Sequence, residues 1–150
     1  MKKLLPILLL ILLAAKGNSQ PDINRLEPVC LVRMQYSEGK YTLETDTGSR
    51  GTGNNPEEAV TNLRESAGGV VFLDTAEFLL IDENMQVREE IYDLLRPSCR
   101  VCAARGNMDL PQATEYLQVH KPRLRLRELR AGVDQIQVLT MNEGGGQLAG

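Results

Sequence analysis

Residues 70–82 read VVFLDTAEFLLID. Two apolar runs, Val70–Leu73 and Ala76–Ile81, flank a short polar turn, and Asp82-Glu83-Asn84 closes the second. Short, fully apolar runs of this kind read as buried strands. A sheet with buried strands needs helices to cover it, and the flanking sequence supplies them. Downstream, Asn84–Leu95 carries Val87, Ile91, Leu94 and Leu95 on one face and Arg88, Glu89, Glu90 and Asp93 elsewhere. That spacing predicts an amphipathic helix, stopped by Pro97. Cys99–Ala104 then reads as a strand. Asp109-Leu110-Pro111 opens a further helix with Asp109 as its cap and Ala113, Tyr116 and Leu117 on its apolar side.

Upstream, Asn55-Pro56-Glu57-Glu58 is a helix start. Asn55 caps, Pro56 suits the first helical position, and the two glutamates favour the positive end of the helix dipole. Glu58 is placed to reach back to Asn55 in a capping-box-like loop. Ala59, Val60, Leu63 and Ala67 repeat at helical spacing until Gly68-Gly69. Before this helix, Val29–Met34 and Tyr41–Thr45 read as an antiparallel hairpin across a Glu38-Gly39 turn, followed by a glycine-rich loop, Asp46–Asn55. The order of elements predicts an α/β (α+β) layer structure: one domain over residues 29–141, with a mixed sheet and about three packing helices.

The C-terminal region has two readings. Arg123-Leu124-Arg125-Leu126-Arg127 alternates basic and apolar residues, as a strand with one wet face does, and Val133–Met141 would pair with it across Arg130-Ala131-Gly132. A helix through Leu124–Leu129 fits the same residues. Asn142–Gly150, NEGGGQLAG, reads as a flexible tail.

The chain has 150 residues, 42% of them hydrophobic, and a formal net charge of −3. The length suits one domain, and the mild acidity argues against general nucleic-acid binding. With no Trp and 4% aromatic residues, the core must rest on Leu, Val, Ile and Ala. Lys2 and Lys3 precede LLPILLLILLAA, an apolar run over Leu4–Ala15. This run is too short for an ordinary membrane span but suits the core of an export signal, or an uncleaved N-terminal anchor. Residues 16–28 are polar and read as extended. Leu13-Ala14-Ala15 is the lead-in of a bacterial lipobox, but Lys16 stands where the lipidated Cys would be. No thioether forms on an amine.

Candidate chemistry is thin. Cys99 and Cys102 have C-x-x-C spacing. A redox pair of that spacing needs a helix N-terminus to lower the thiol pKa, and here the helix precedes the motif. Residues three apart on a strand point to opposite faces, so the pair neither bonds internally nor shares a metal. A zinc site would need further ligands, with only Cys30 and His120 left to supply them. Three readings stay open: small buried residues, a disulfide from Cys30 to one of the pair, or redox or metal chemistry. Gly48–Gly53, GSRGTG, resembles a phosphate loop by its glycines alone, with no Gly-Lys-Ser/Thr following. His120 lies near a helix end, where it can serve the last carbonyls. Lys121, Arg123, Arg125, Arg127 and Arg130 form the basic cluster, read as a solvated face or as a contact for anionic lipid or an acidic partner. No catalytic residue, metal or cofactor is expected.

The order of these motifs resembles a known family. Asp22-Ile23-Asn24-Arg25-Leu26 follows the apolar leader. Then come Gly39-Lys40-Tyr41-Thr42-Leu43, Glu57-Glu58-Ala59-Val60-Thr61-Asn62-Leu63, the strand–turn–strand over Val70–Asp82, and the Ile91–Leu95, Cys99–Ala104 and Asp109–Leu117 segments. Over residues 4–120 this resembles the N-terminal domain of the Ger(x)C family, the lipoprotein C-subunits of bacterial spore nutrient-germinant receptors. Family members are more than twice as long. The resemblance implies a non-enzymatic exported protein, acting in spore germination at the spore inner membrane by contacts with the receptor's membrane subunits. The alternatives are a secreted thiol or metal protein using Cys99 and Cys102, and a free-standing ligand-binding module.

Overall fold

Phe78–Asp82 lies mid-sheet because it is apolar on both sides. Phe78 and Leu80 point to one face and Leu79 and Ile81 to the other, and all four are buried. A computed structural model describes residues 26–87 and 89–150. The expected leader, Lys16 and residues 16–25 of the polar segment lie outside the described residues. In chain order the strands are β1 (Leu26–Pro28), β2 (Leu31–Ser37), β3 (Lys40–Thr45), β4 (Arg50–Gly53), β5 (Val70–Phe72), β6 (Phe78–Asp82), β7 (Arg100–Arg105), β8 (Val138–Asn142) and β9 (Gly145–Ala149). The helices among the described residues are α1 (Pro56–Ser66), α2 (Glu89–Tyr92), α3 (Leu110–Val119) and α4 (Leu126–Arg130), with a 3-10 turn at Leu73–Thr75.

The main sheet has seven strands in the order β4-β3-β2-β6-β7-β8-β9. The central four, β2, β6, β7 and β8, are mutually parallel, while β3, β4 and β9 run antiparallel to their neighbours. The fold is thus a mixed α+β layer structure with helices on both faces. On one face α1, α2 and α4 cover Val32, Met34, Leu43, Leu79, Ile81 and Val101. On the other, Leu110, Ala113 and Leu117 of α3 cover Leu31, Phe78, Leu80, Cys102, Ala104 and Leu139.

Local chemistry agrees with the sequence at several joints. Glu38 and Gly39 both take positive φ, 52° and 77°, as the tight turn between β2 and β3 requires. The Asn55 carboxamide accepts from the Glu58 N–H at 2.8 Å, and Asp109 accepts from the Gln112 N–H at 3.1 Å. Glu58 reaches back one residue further than expected, to the Asn54 N–H at 3.0 Å.

Five expectations need correction. The glycine-rich segment is not all loop, because Arg50–Gly53 pairs with β3 as an edge strand. Val70–Phe72 is not in the main sheet. It pairs in parallel with β1 at the periphery, so Val70 and Phe72 are 56% and 41% exposed while Val71 and Leu73 are buried. Among its described residues, Asn84–Leu95 contains only one helical turn, Glu89–Tyr92. Met85 donates to the Asp82 carbonyl in a tight turn, yet Ile91 and Leu95 still reach the core. Its apolar spacing is met by a loop that folds over the sheet. The basic alternation at 123–127 is not a strand paired with Val133–Met141. Arg125 makes one antiparallel bridge to Arg100, then Glu128 accepts the Arg125 N–H at 2.8 Å and turns the chain into α4. The helical alternative therefore holds from Leu126 onward. Residues 142–150 are not a free tail. A Glu143-Gly144 turn sends Gly145–Ala149 back along β8, and Gly146 lies against the Tyr116 ring.

Candidate functional site

In a sheet of parallel strands, a crevice opens where the connections leaving two adjacent strands go to opposite faces. β6 and β7 are such neighbours. The chain leaving β6 runs to α2 on one face, and the chain leaving β7 runs to α3 on the other. Between them lies an open crevice of about 450 Å³, whose lining includes Arg33, Gln35, Ser37, Asp82, Glu83 and Arg105.

The charges in this crevice are arranged in pairs. Arg33, only 5% exposed, donates from Nε and Nη2 to Asp82 Oδ1 at 3.3 and 3.0 Å, and from Nη2 to the Gly106 carbonyl at 2.9 Å. A buried guanidinium is tolerable only when so partnered. On the other face of the same strand ends, Arg105 grips Glu83 with two donors, one of them Nε to Oε2 at 2.8 Å. These bonds hold the Glu83 carboxyl below the usual carboxylate range and raise the Arg105 guanidinium. Two cations face two anions, a lining suited to a neutral polar or zwitterionic group rather than a polyanion.

The opposite end of the sheet is basic. There the amino ends of β2, β6 and β7 meet, since Leu31 is paired with Phe78 and Phe78 with Arg100. Arg96, Arg100 and Lys121 surround a small hollow with Glu77, Phe78 and Ser98. Arg100 Nη1 donates to the Pro122 carbonyl at 2.7 Å. Arg125 bridges to Arg100, and the Arg127 N–H donates to the Pro97 carbonyl. Arg123 donates to the Gly150 carbonyl beside the start of β8. Arg130 is drawn away from this group. It lies near Asp93 and Glu89 at 3.5 and 3.8 Å, and over the Tyr92 ring at 5.7 Å. The sequence cluster thus divides. It also omitted Arg96 and Arg100, which join it only because the fold brings 77, 96–100 and 121–125 together. The Val29-Cys30 segment lies at this end too, because the Cys30 carbonyl accepts from the Glu77 and Phe78 N–H groups.

The remaining candidates resolve by position. Cys99 and Cys102 pack in different cores on opposite faces of the sheet, as strand alternation requires. Burial pushes both thiols up to about 12. Cys30 is half-buried, its thiol is raised chiefly by desolvation, and all three cysteines are free. The His120 ring lies against Tyr116, with centroids 4.5 Å apart, while the His120 backbone N–H donates to the Tyr116 carbonyl at the end of α3. Among the described residues, no three His, Cys, Asp or Glu side chains converge as a metal site. No described helix is long and apolar enough to cross a membrane.

The glycines of the supposed phosphate loop serve packing. A Cβ on Gly51 would lie 2.2 Å from the Ala59 carbonyl oxygen, and one on Gly53 would lie 2.5 Å from the Ala59 nitrogen. They let α1 lie directly on β4. Compared with family models, curated proteins and solved structures, the chain matches none.

Proposed function

We propose that this chain is an exported, non-enzymatic protein that works at a membrane surface through protein contacts, in spore germination, as its resemblance to the Ger(x)C N-terminal domain implies. One observation carries the membrane part of the reading. The described chain begins at the end of the sheet that also gathers Arg96, Arg100, Lys121, Arg123, Arg125 and Arg127. An apolar leader held in a bilayer would turn this end toward the lipid headgroups, where each exposed basic residue contributes about 1 kcal/mol on an anionic surface. Among the described residues, the segments that carry the resemblance include β3, α1, β5, β6, β7 and α3. The buried, divided thiols favour a structural role for Cys99 and Cys102. The test is fractionation of sporulating cells with affinity capture of the chain. Membrane recovery together with the receptor's membrane subunits supports the proposal; a cytosolic protein that captures neither subunit ends it.

A second reading is a free-standing ligand-binding module, favoured by the paired charges in the crevice between β6 and β7. Calorimetry with small zwitterions would measure it, and Arg105→Ala should abolish any heat specific to that crevice.

A further inference from the structure

The two edges of the sheet are finished differently. At the β4 edge, the outward carbonyls of Arg50 and Thr52 accept from Ser66 Oγ at 2.8 Å and Asn62 Nδ2 at 2.6 Å, so α1 closes that side. The β9 edge has no such cover among the described residues. The two-residue turn makes Asn142–Gly145, Thr140–Gln147 and Val138–Ala149 the hydrogen-bonded pairs of the β8–β9 ladder, since bonded and non-bonded pairs alternate. Gly146 and Leu148 therefore turn their N–H and C=O groups outward. Edge strands are ordinarily guarded by charge, proline or a bulge, and GGQLA has neither charge nor proline.

We infer that β9 is a self-association edge that pairs antiparallel with β9 of a second copy of this chain, about a two-fold axis through Gln147. In that register Gly146 faces Leu148 of the other copy, and Leu148 faces Gly146. These are the outward-bonding residues, so four backbone hydrogen bonds close at once. An axis centred on Gly146 would align fewer of them. Side chains agree with the register: Gly146 and Leu148 share one sheet face, so each Leu148 comes beside the Gly146 of the other copy, where the Tyr116 ring already lies and offers an apolar contact. Charge agrees as well. Arg123 is tied to the Gly150 carbonyl at one end of β9, and Glu143 sits in the turn at the other. Antiparallel pairing brings Arg123 of each copy toward Glu143 of the other. The interface is isologous, and it joins two seven-stranded sheets into one.

The register gives a direct test. Gln147 would form a non-hydrogen-bonded pair with itself, with Cα atoms about 4.5 Å apart, within disulfide range. The full chain carrying Cys30→Ser and Gln147→Cys, in detergent under mild oxidation, should form a covalent dimer. A chain carrying Cys30→Ser and Thr52→Cys, at the closed edge, should not, which controls for collision in the micelle. Circular dichroism checks the folding of each. In the unmodified chain, amide exchange at Gly146 and Leu148 should slow with rising protein concentration while that at Gln147 stays constant. Equal crosslinking at both positions, crosslinking at neither, or exchange at Gly146 and Leu148 independent of concentration would overturn the inference. So would protection of those amides that appears only when a different protein is added.

Discussion

Gly51 in β4 and Leu63 in α1 touch backbone to backbone. A Cβ on Gly51 would fall 2.3 Å from the Leu63 nitrogen and 2.2 Å from the Ala59 carbonyl oxygen. Neither neighbour is a flexible side chain, so the helix itself must shift. Gly51→Ala should therefore destabilise the protein by about 3 kcal/mol, the upper part of the range for overpacking. Gly68→Ala meets nothing within 4 Å and should change stability by less than about 0.5 kcal/mol. Urea denaturation of both variants measures the contrast. Equal midpoints would show that α1 does not lie this close to β4.

The same pair shows where sequence reading succeeds and where it stops. Asn55, Pro56 and Asp109 declare their helices through chemistry acting within three residues, and the structure places those caps as expected. The apolar run at Phe78–Ile81 declares a strand buried on both faces. Gly51 and Gly53 carry no such local sign: their absent side chains answer to α1, whose approach is a tertiary fact. Gly146 likewise answers to a neighbour distant in sequence, the Tyr116 ring. Leu124 and Leu126 are both buried, so the alternation around them is real, but a single Glu128 carboxylate decides that the chain turns helical after Arg125. The crevice was not legible either. It requires that β6 and β7 be neighbours and that their connections leave to opposite faces, and neither fact is written in any short motif.

Arg33 and Asp82 are 49 residues apart and joined across β2 and β6, with side-chain exposures of 7% and 31%. Removing the acid leaves a buried guanidinium with the Gly106 carbonyl as its remaining partner. Asp82→Ala should cost about 2–3 kcal/mol, somewhat less than a fully buried pair because the carboxylate keeps some water. Arg33→Met combined with Asp82→Leu should recover most of that loss, since no charge is then left buried. A thermodynamic cycle over the two singles and the double variant tests this. A double variant no more stable than Asp82→Ala would refute the explanation.

The buried thiols predict an alkaline limit to stability. Cys99 and Cys102 are pushed up to about 12 in the folded chain, against 9.0 as the ordinary value. Below pH 9 the thiols are neutral in both states and their packing is fully available. Above it the unfolded state releases protons that the folded state retains, so stability falls as pH rises toward 12. Each thiol contributes at most about 1.4 kcal/mol per pH unit to that slope. Denaturation midpoints from pH 8 to 11 should decline more steeply in the parent than in Cys99→Ala with Cys102→Ala. Parallel curves would remove the thiols as the cause. A thiol reagent at pH 8 should label Cys30 first and the other two at the rate of unfolding.

The basic end of the sheet makes a prediction that separates surface attraction from leader insertion. A chain beginning at Lys16 lacks the apolar run, so its binding to vesicles must rest on the folded surface. Arg96 and Lys121 flank the same hollow at that end. Replacing both with Gln removes two charges at about 1 kcal/mol each, which should weaken binding to phosphatidylserine vesicles by about 30-fold. Raising the salt tenfold should weaken the parent in the same way, because screening acts on exposed charge. Arg130 provides the internal control. Its guanidinium sits over Tyr92 beside Glu89 and Asp93, so Arg130→Gln should leave vesicle affinity almost unchanged. Flotation assays with neutral and anionic vesicles give both measurements. If Arg130→Gln weakens binding as much as the double variant does, net charge alone drives the association, and the amino end of the sheet has no special place at the membrane.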